Sequence, residues 1–163
     1  MDYKKILSNF AVVLLIFFTD RFSKIYILKL AELDSKVDIY LTPFLNFYLI
    51  WNKGIAFGLF SINDEIVYNF LTIIISIIIF IILIMLIRSR GFQRYSLLMV
   101  FGGSLGNLYD RIYFSAVPDF IDFHIGSFHW FIFNVADIFI TIGVICLIYA
   151  EIFLNKEENE KFN

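Results

Sequence analysis

Two aspartates are placed to do acid–base chemistry. Asp137 lies in the strongly apolar run "WFIFNVADIFITIGVICLIYAEIFL", three residues after Asn134 and four before Thr141. On a helix these spacings put all three on one face. No Lys or Arg lies within thirteen residues of Asp137 on either side, and an acid without a local counter-charge in such a run is a functional candidate. Asp119 follows Pro118 in the short segment before that run. That segment is short enough to fold back and bring Asp119 toward Asp137. Two carboxylates close together cannot both be charged. The ionised one can activate water while the protonated one polarises a carbonyl. The residues alone leave a plain turn role for Asp119 equally open.

Two further groups of polar residues interrupt apolar sequence. Asp20, Arg21 and Lys24 form the first; Asp20 and Lys24 are i,i+4 and can pair. Asn107, Asp110 and Arg111 form the second, at helical spacing, after Gly102, Gly103 and Gly106, which let another helix approach. Asp110 and Arg111 can neutralise each other or pair with the first group, and a scaffold role is favoured for both. Asp122, His124 and His129 read as polar loop residues. Two histidines without HExxH or CxxC spacing make no metal site, so no metal or cofactor is expected. Cys146 has no intrachain partner in this single-cysteine chain and reads as packing.

The elements that must hold these groups are membrane helices. Of 163 residues, 60% are apolar, against roughly 45–50% in soluble domains, and the mean hydropathy is +0.81. Residues 66–87 form an uncharged run of 22, enough to cross a bilayer core, which needs about 20. The N-terminus resembles a signal peptide, but the run continues without a clear cleavage site and reads as a retained span. The expectation is one integral membrane domain, 1–163: an all-α bundle of four spans at about 7–29 (interrupted by "TDRFSK"), 66–87, 95–113 and 130–154. Seven Lys/Arg flank one side (Lys4, Lys5, Arg88, Arg90, Arg94, Lys156, Lys161) and two the other (Lys36, Lys53). This places both termini in the cytoplasm. The first outer loop, about 37–60, is rich in aromatic and β-branched residues and reads as a small extracytoplasmic β-rich cradle on the membrane surface. Residues 114–129 read as a second outer loop, and the tail as a solvated end. A net charge of −2 without a basic, aromatic-interleaved patch excludes a nucleic-acid partner.

These blocks together resemble the lipoprotein signal peptidase (signal peptidase II) family. Asp20 with Lys24 is similar to its D-Q-x-[ST]-K block and "NKGIAFG" (52–58) to N-x-G-x-A-[FW]-[GS]. "GGSLGNLYDR" (102–111) is similar to G-G-A-x-G-N-x-x-D-R, "VPDF" (117–120) to V-V-D-[FY], and "FNVAD" (133–137) to F-N-x-A-D. The five blocks come in the family's order and cover nearly the whole chain. The resemblance implies an intramembrane aspartic endopeptidase of the bacterial cytoplasmic (inner) membrane, active near its extracytoplasmic face. It would remove signal peptides from prolipoproteins by cutting before a diacylglyceryl-modified cysteine. It implies Asp119 and Asp137 as catalytic, and Asn52, Gly54, Asn107, Arg111 and Asn134 as shaping the site or contacting substrate, membrane lipid or peptide antibiotics such as globomycin. Asp20 and Asp110 match positions of structural importance. Two residues depart from the pattern. Arg21 stands where the family has Gln, an extra charge read at the lipid-facing outer end of span one, and Pro118 where it has Val, stiffening the backbone beside Asp119.

Two other classes compete. A proton-coupled transporter or channel would spread carboxylates in depth, one of them near the cytoplasmic side. A membrane scaffold would tolerate Asn at both Asp119 and Asp137.

Overall fold

The structure, a computed structural model, describes residues 3–34, 37–54, 64–126 and 128–154. Among them the chain runs α1 (Tyr3–Asp34), β1 (Asp38–Thr42), β2 (Leu45–Asn52), α2 (Glu65–Arg88), α3 (Gly91–Phe114), β3 (Val117–Ile125), β4 (Phe128–Phe133) and α4 (Val135–Tyr149), which ends in a π-helical turn, Ala150–Leu154. It is helix-rich, with one small antiparallel sheet. Residues 55–60 of the expected cradle and the tail from 155 lie outside the described residues.

α2 and residues 135–153 are long and apolar enough to cross a membrane. The side chains of α2 are largely exposed, Ile66 at 80% and Phe70 at 63%. A helix apolar on every side and left uncovered suits a hydrocarbon solvent, not water. Asp64 starts α2 by accepting the Ile66 and Val67 amides. α3 is the central helix and packs against α1, α2 and α4. Its glycines are the points of contact. A Cβ on Gly103 would lie 2.6 Å from the Ala136 carbonyl of α4, and one on Gly106 2.6 Å from the Asp20 carboxylate of α1.

The sheet differs from expectation in extent. Its order is β1-β2-β3-β4, so the segment read as a second outer loop supplies β3 and the start of β4. Asn52 pairs with Val117 and Ile50 with Asp119 across β2 and β3, and the β3–β4 hairpin closes at Gly126. Phe120 packs with Ile27 and Val37, seating the sheet on the end of α1.

Two expectations about the helices are corrected. The fourth helix begins at Val135, because Trp130–Phe133 is part of β4. A short run of aromatic and branched residues fits a strand as well as a helix, and here pairing with β3 decides. α1 also runs unbroken through "TDRFSK", because the charges there find partners on α3.

Candidate active site

The start of α4 explains the spacing of Asn134 and Asp137. Asn134 is the N-cap: its Oδ1 accepts the Asp137 amide at 3.1 Å, and its own amide donates to Asp137 Oδ2 at 3.1 Å. This reciprocal box satisfies two helix-end donors that would otherwise be unpaired. It also fixes the Asp137 carboxylate at the mouth of the helix.

β3 brings Asp119 to the same place. Its Oδ1 accepts Asn134 Nδ2 at 2.6 Å and its Oδ2 accepts Asn52 Nδ2 at 2.9 Å. Asp137 Oδ1 accepts Asn107 Nδ2 at 2.8 Å. Asn134 therefore bonds to both aspartates. Each of the three amides is oriented from its far end, because its oxygen is already engaged by a fixed donor: Asn134 by the Asp137 amide, Asn52 by the Gly54 amide at 2.8 Å, Asn107 by Lys24 Nζ at 2.9 Å. Each nitrogen must then face a carboxylate. Asp119 is 2% exposed. Burial raises its pKa first and the neighbouring Asp137 charge adds to this, while the bonds from Asn134 and Asn52 oppose them; the result is about 6.

Behind the pair lies a buried ion cluster. Lys24 Nζ donates to Asp20 Oδ2 at 2.8 Å and to Asp110 Oδ2 at 2.7 Å, as well as to Asn107. Arg21 pairs with the other oxygen of Asp110. Asp20 Oδ1 accepts the Ala136 amide at 2.9 Å, so a carboxylate of α1 also caps α4. Arg21 is thus not a lipid-facing charge: it is 9% exposed and stacks over Tyr109 at 4.8 Å. Of the two partnerships open to Asp110, it takes the one with the first group. Arg111 instead donates to the Gly54 carbonyl at 2.8 Å. Its Nη1 is buried without a hydrogen-bond partner among the described residues.

A cavity of about 400 Å³ is lined on its polar side by Asn52, Asn107, Arg111, Asp119, Asn134 and Asp137. Gly54 acts on it indirectly, through Asn52 and Arg111. The other wall is Ile140, Thr141, Val144 and Ile145 of α4 with Ile75 of α2. Only Thr141 of these stands out in the sequence, yet all four α4 positions lie three, four, seven or eight residues after Asp137, the signature of one helix face. Asp122, His124 and His129 are strand residues, not loop residues, and stand apart from this cavity.

A buried and a half-buried carboxylate beside one cavity of this size, next to an apolar helix wall, form a set of groups suited to acid–base chemistry. The comparisons carry this further. The model of the signal peptidase (SPase) II family matches residues 12–153. The lipoprotein signal peptidase of Pelagibacter ubique (strain HTCC1062) is 56% identical over 162 residues, 99% of this chain and 98% of that one. That of Anaplasma phagocytophilum (strain HZ) is 39% identical over 152 residues, 91% of this chain and 94% of the other. A bacterial membrane enzyme solved by the in meso method at 1.9 Å superposes with a TM-score of 0.72 at 29% identity, over 90% of this chain and 93% of that one. The chain belongs to the signal peptidase II family, and its activity is that of a peptidase.

Proposed function

We propose that the chain is an aspartic endopeptidase with Asp119 and Asp137 as its catalytic pair, acting on prolipoproteins that carry a diacylglyceryl cysteine. The observation that carries this is Asn134, whose backbone and side chain hold both carboxylates at one cavity. One carboxylate takes a proton from water. The resulting hydroxide attacks the carbonyl carbon before the lipidated cysteine, and the partner's proton passes to the carbonyl oxygen. Collapse of this tetrahedral species breaks the C–N bond: the carboxyl protonated in the first step gives its proton to the leaving amine, and the partner takes one back from the diol, which restores the pair. The pair titrates as a unit. Asn52, Asn107 and Asn134 keep the carboxylates apart and aimed without neutralising them. Arg111 Nη1 is a donor free for the peptide backbone, and the α4 wall receives the acyl chains. Peptide antibiotics such as globomycin would occupy the same cavity.

In this reading residues 1–163 form one membrane domain of four spans, α1 to α4. Both termini are cytoplasmic, and the sheet and the cavity lie toward the extracytoplasmic face of the bacterial cytoplasmic membrane.

The test is cleavage of a diacylglyceryl-modified prolipoprotein by wild type, Asp119→Asn and Asp137→Asn, with folding checked in detergent. Loss of cleavage in two folded variants supports the pair. Near-normal cleavage by either variant removes it and turns attention to Asp110.

A further inference from the structure

The β3–β4 hairpin gathers a second polar group. Asp122 and His124 are two residues apart on β3 and share a face of the strand, while Asp119, three residues before Asp122, falls on the other. His129 joins them through a bulge. Phe123 pairs with Phe131, but His124 pairs with His129, so the ladder skips one residue of β4. A regular ladder would set Trp130 opposite His124; the extra residue turns His129 to that face instead.

The resulting environment is unusual for surface histidines. Asp122 is 2% and His124 7% exposed, while the His129 side chain is 58% exposed. His129 Nδ1 lies 3.1 and 2.9 Å from the two Asp122 oxygens. The two rings stack at 5.1 Å. His124 Nδ1 is buried with no hydrogen-bond partner among the described residues, 3.7 Å from Asp122 Oδ2. One ligand atom from each residue lies within 4.8 Å of the others.

We propose that Asp122, His124 and His129 bind a divalent transition-metal ion of the Zn²⁺ type. Two imidazole nitrogens and one carboxylate oxygen suit Zn²⁺ and its neighbours, whereas Mg²⁺ and Ca²⁺ call for oxygen alone. Three protein ligands leave a fourth position for water. The ion would take up the unpartnered Nδ1 of His124 and balance the buried Asp122 charge, and the exposed His129 gives it a way in. It would tie β3 to β4 near the tip of the hairpin. The proposal does not depend on the peptidase reading.

The experiment titrates the full chain, purified in detergent without a polyhistidine tag and stripped with chelator, with Co²⁺ as a spectroscopic probe and Zn²⁺ as competitor. One Co²⁺ per chain is expected, with visible absorption bands that Zn²⁺ abolishes. His129→Ala, at an exposed position, should keep its fold and bind at least about tenfold more weakly, as loss of a ligand demands. Asp122→Asn and His124→Gln should do the same wherever thermal melting shows them folded. Absence of saturable binding by wild type, or binding that His129→Ala leaves unchanged (adventitious metal only), overturns the proposal.

Discussion

Two groups of carboxylates lie side by side in this molecule, and they are held in opposite ways. Asp20 and Asp110 sit against cations, Lys24 and Arg21, so that two negative charges meet two positive ones. Asp119 and Asp137 sit against amides, Asn52, Asn107 and Asn134. A cation meets a carboxylate with an opposite charge and ties it to another helix; an amide positions it without bringing a counter-charge. The difference separates charge that joins helices from charge available for chemistry. Lys24 connects the two, because its bond to Asn107 Oδ1 forces that amide's nitrogen toward Asp137.

The comparison breaks most visibly by removing charge from each side. Asn in place of Asp119 or Asp137 should lower prolipoprotein cleavage by about 10²–10⁴-fold, a loss out of proportion to any change in melting temperature. Lys24→Met should act first on stability. It leaves Asp20 buried without its cation and Asp110 with Arg21 alone, a loss of about 3–5 kcal/mol, seen as depleted folded protein or a much lower melting temperature in detergent. A Lys24→Met protein as stable as wild type would show that the ion cluster is not what holds α1, α3 and α4 together.

The pH dependence of stability sharpens the contrast. Asp119 titrates near 6 in the folded chain, above its ordinary 3.8. Between these values the folded state keeps a proton that the unfolded chain has lost. This contribution to stability is therefore full below about pH 4 and is lost as pH rises through about 6, at most about 3 kcal/mol for a two-unit shift. Melting of wild type and Asp119→Asn across pH 4–7 should diverge in this sense, the variant lacking that slope. The smallest effect is expected from Asn134→Ala, about 1 kcal/mol for a lost N-cap. Its cleavage should fall by more than that stability loss explains, because both carboxylates lose their common partner.

Much of the candidate site is legible in the sequence because it is written in helical spacing. Asn107, Asp110 and Arg111 recur on one face, Asn134 and Asp137 are a capping box, and Asp20 pairs with Lys24 as i,i+4 neighbours do. What joins those faces is not. The pairing of β2 with β3 joins residues 65 to 78 positions apart, from Asn52 with Val117 to Leu45 with Phe123, and nothing local announces it. Trp130–Phe133 carries an apolar run that suits either secondary structure. Arg21 looks like a stray charge until Asp110 is seen across the helix interface. Asp122, His124 and His129 look like loop residues because the bulge that aligns them exists only in the paired hairpin.

Reliance on Asn134 also bears on chemical ageing. Asparagine slowly deamidates when the next residue's backbone nitrogen attacks its side-chain carbonyl, and the product here would be a third acid wedged between two. The following residue is Val135, branched at Cβ and wound into the first turn of α4, and both features hinder that cyclisation. The side-chain oxygen is moreover tied to the Asp137 amide. The same box that starts the helix thus slows a spontaneous reaction that would add a charge between the two carboxylates.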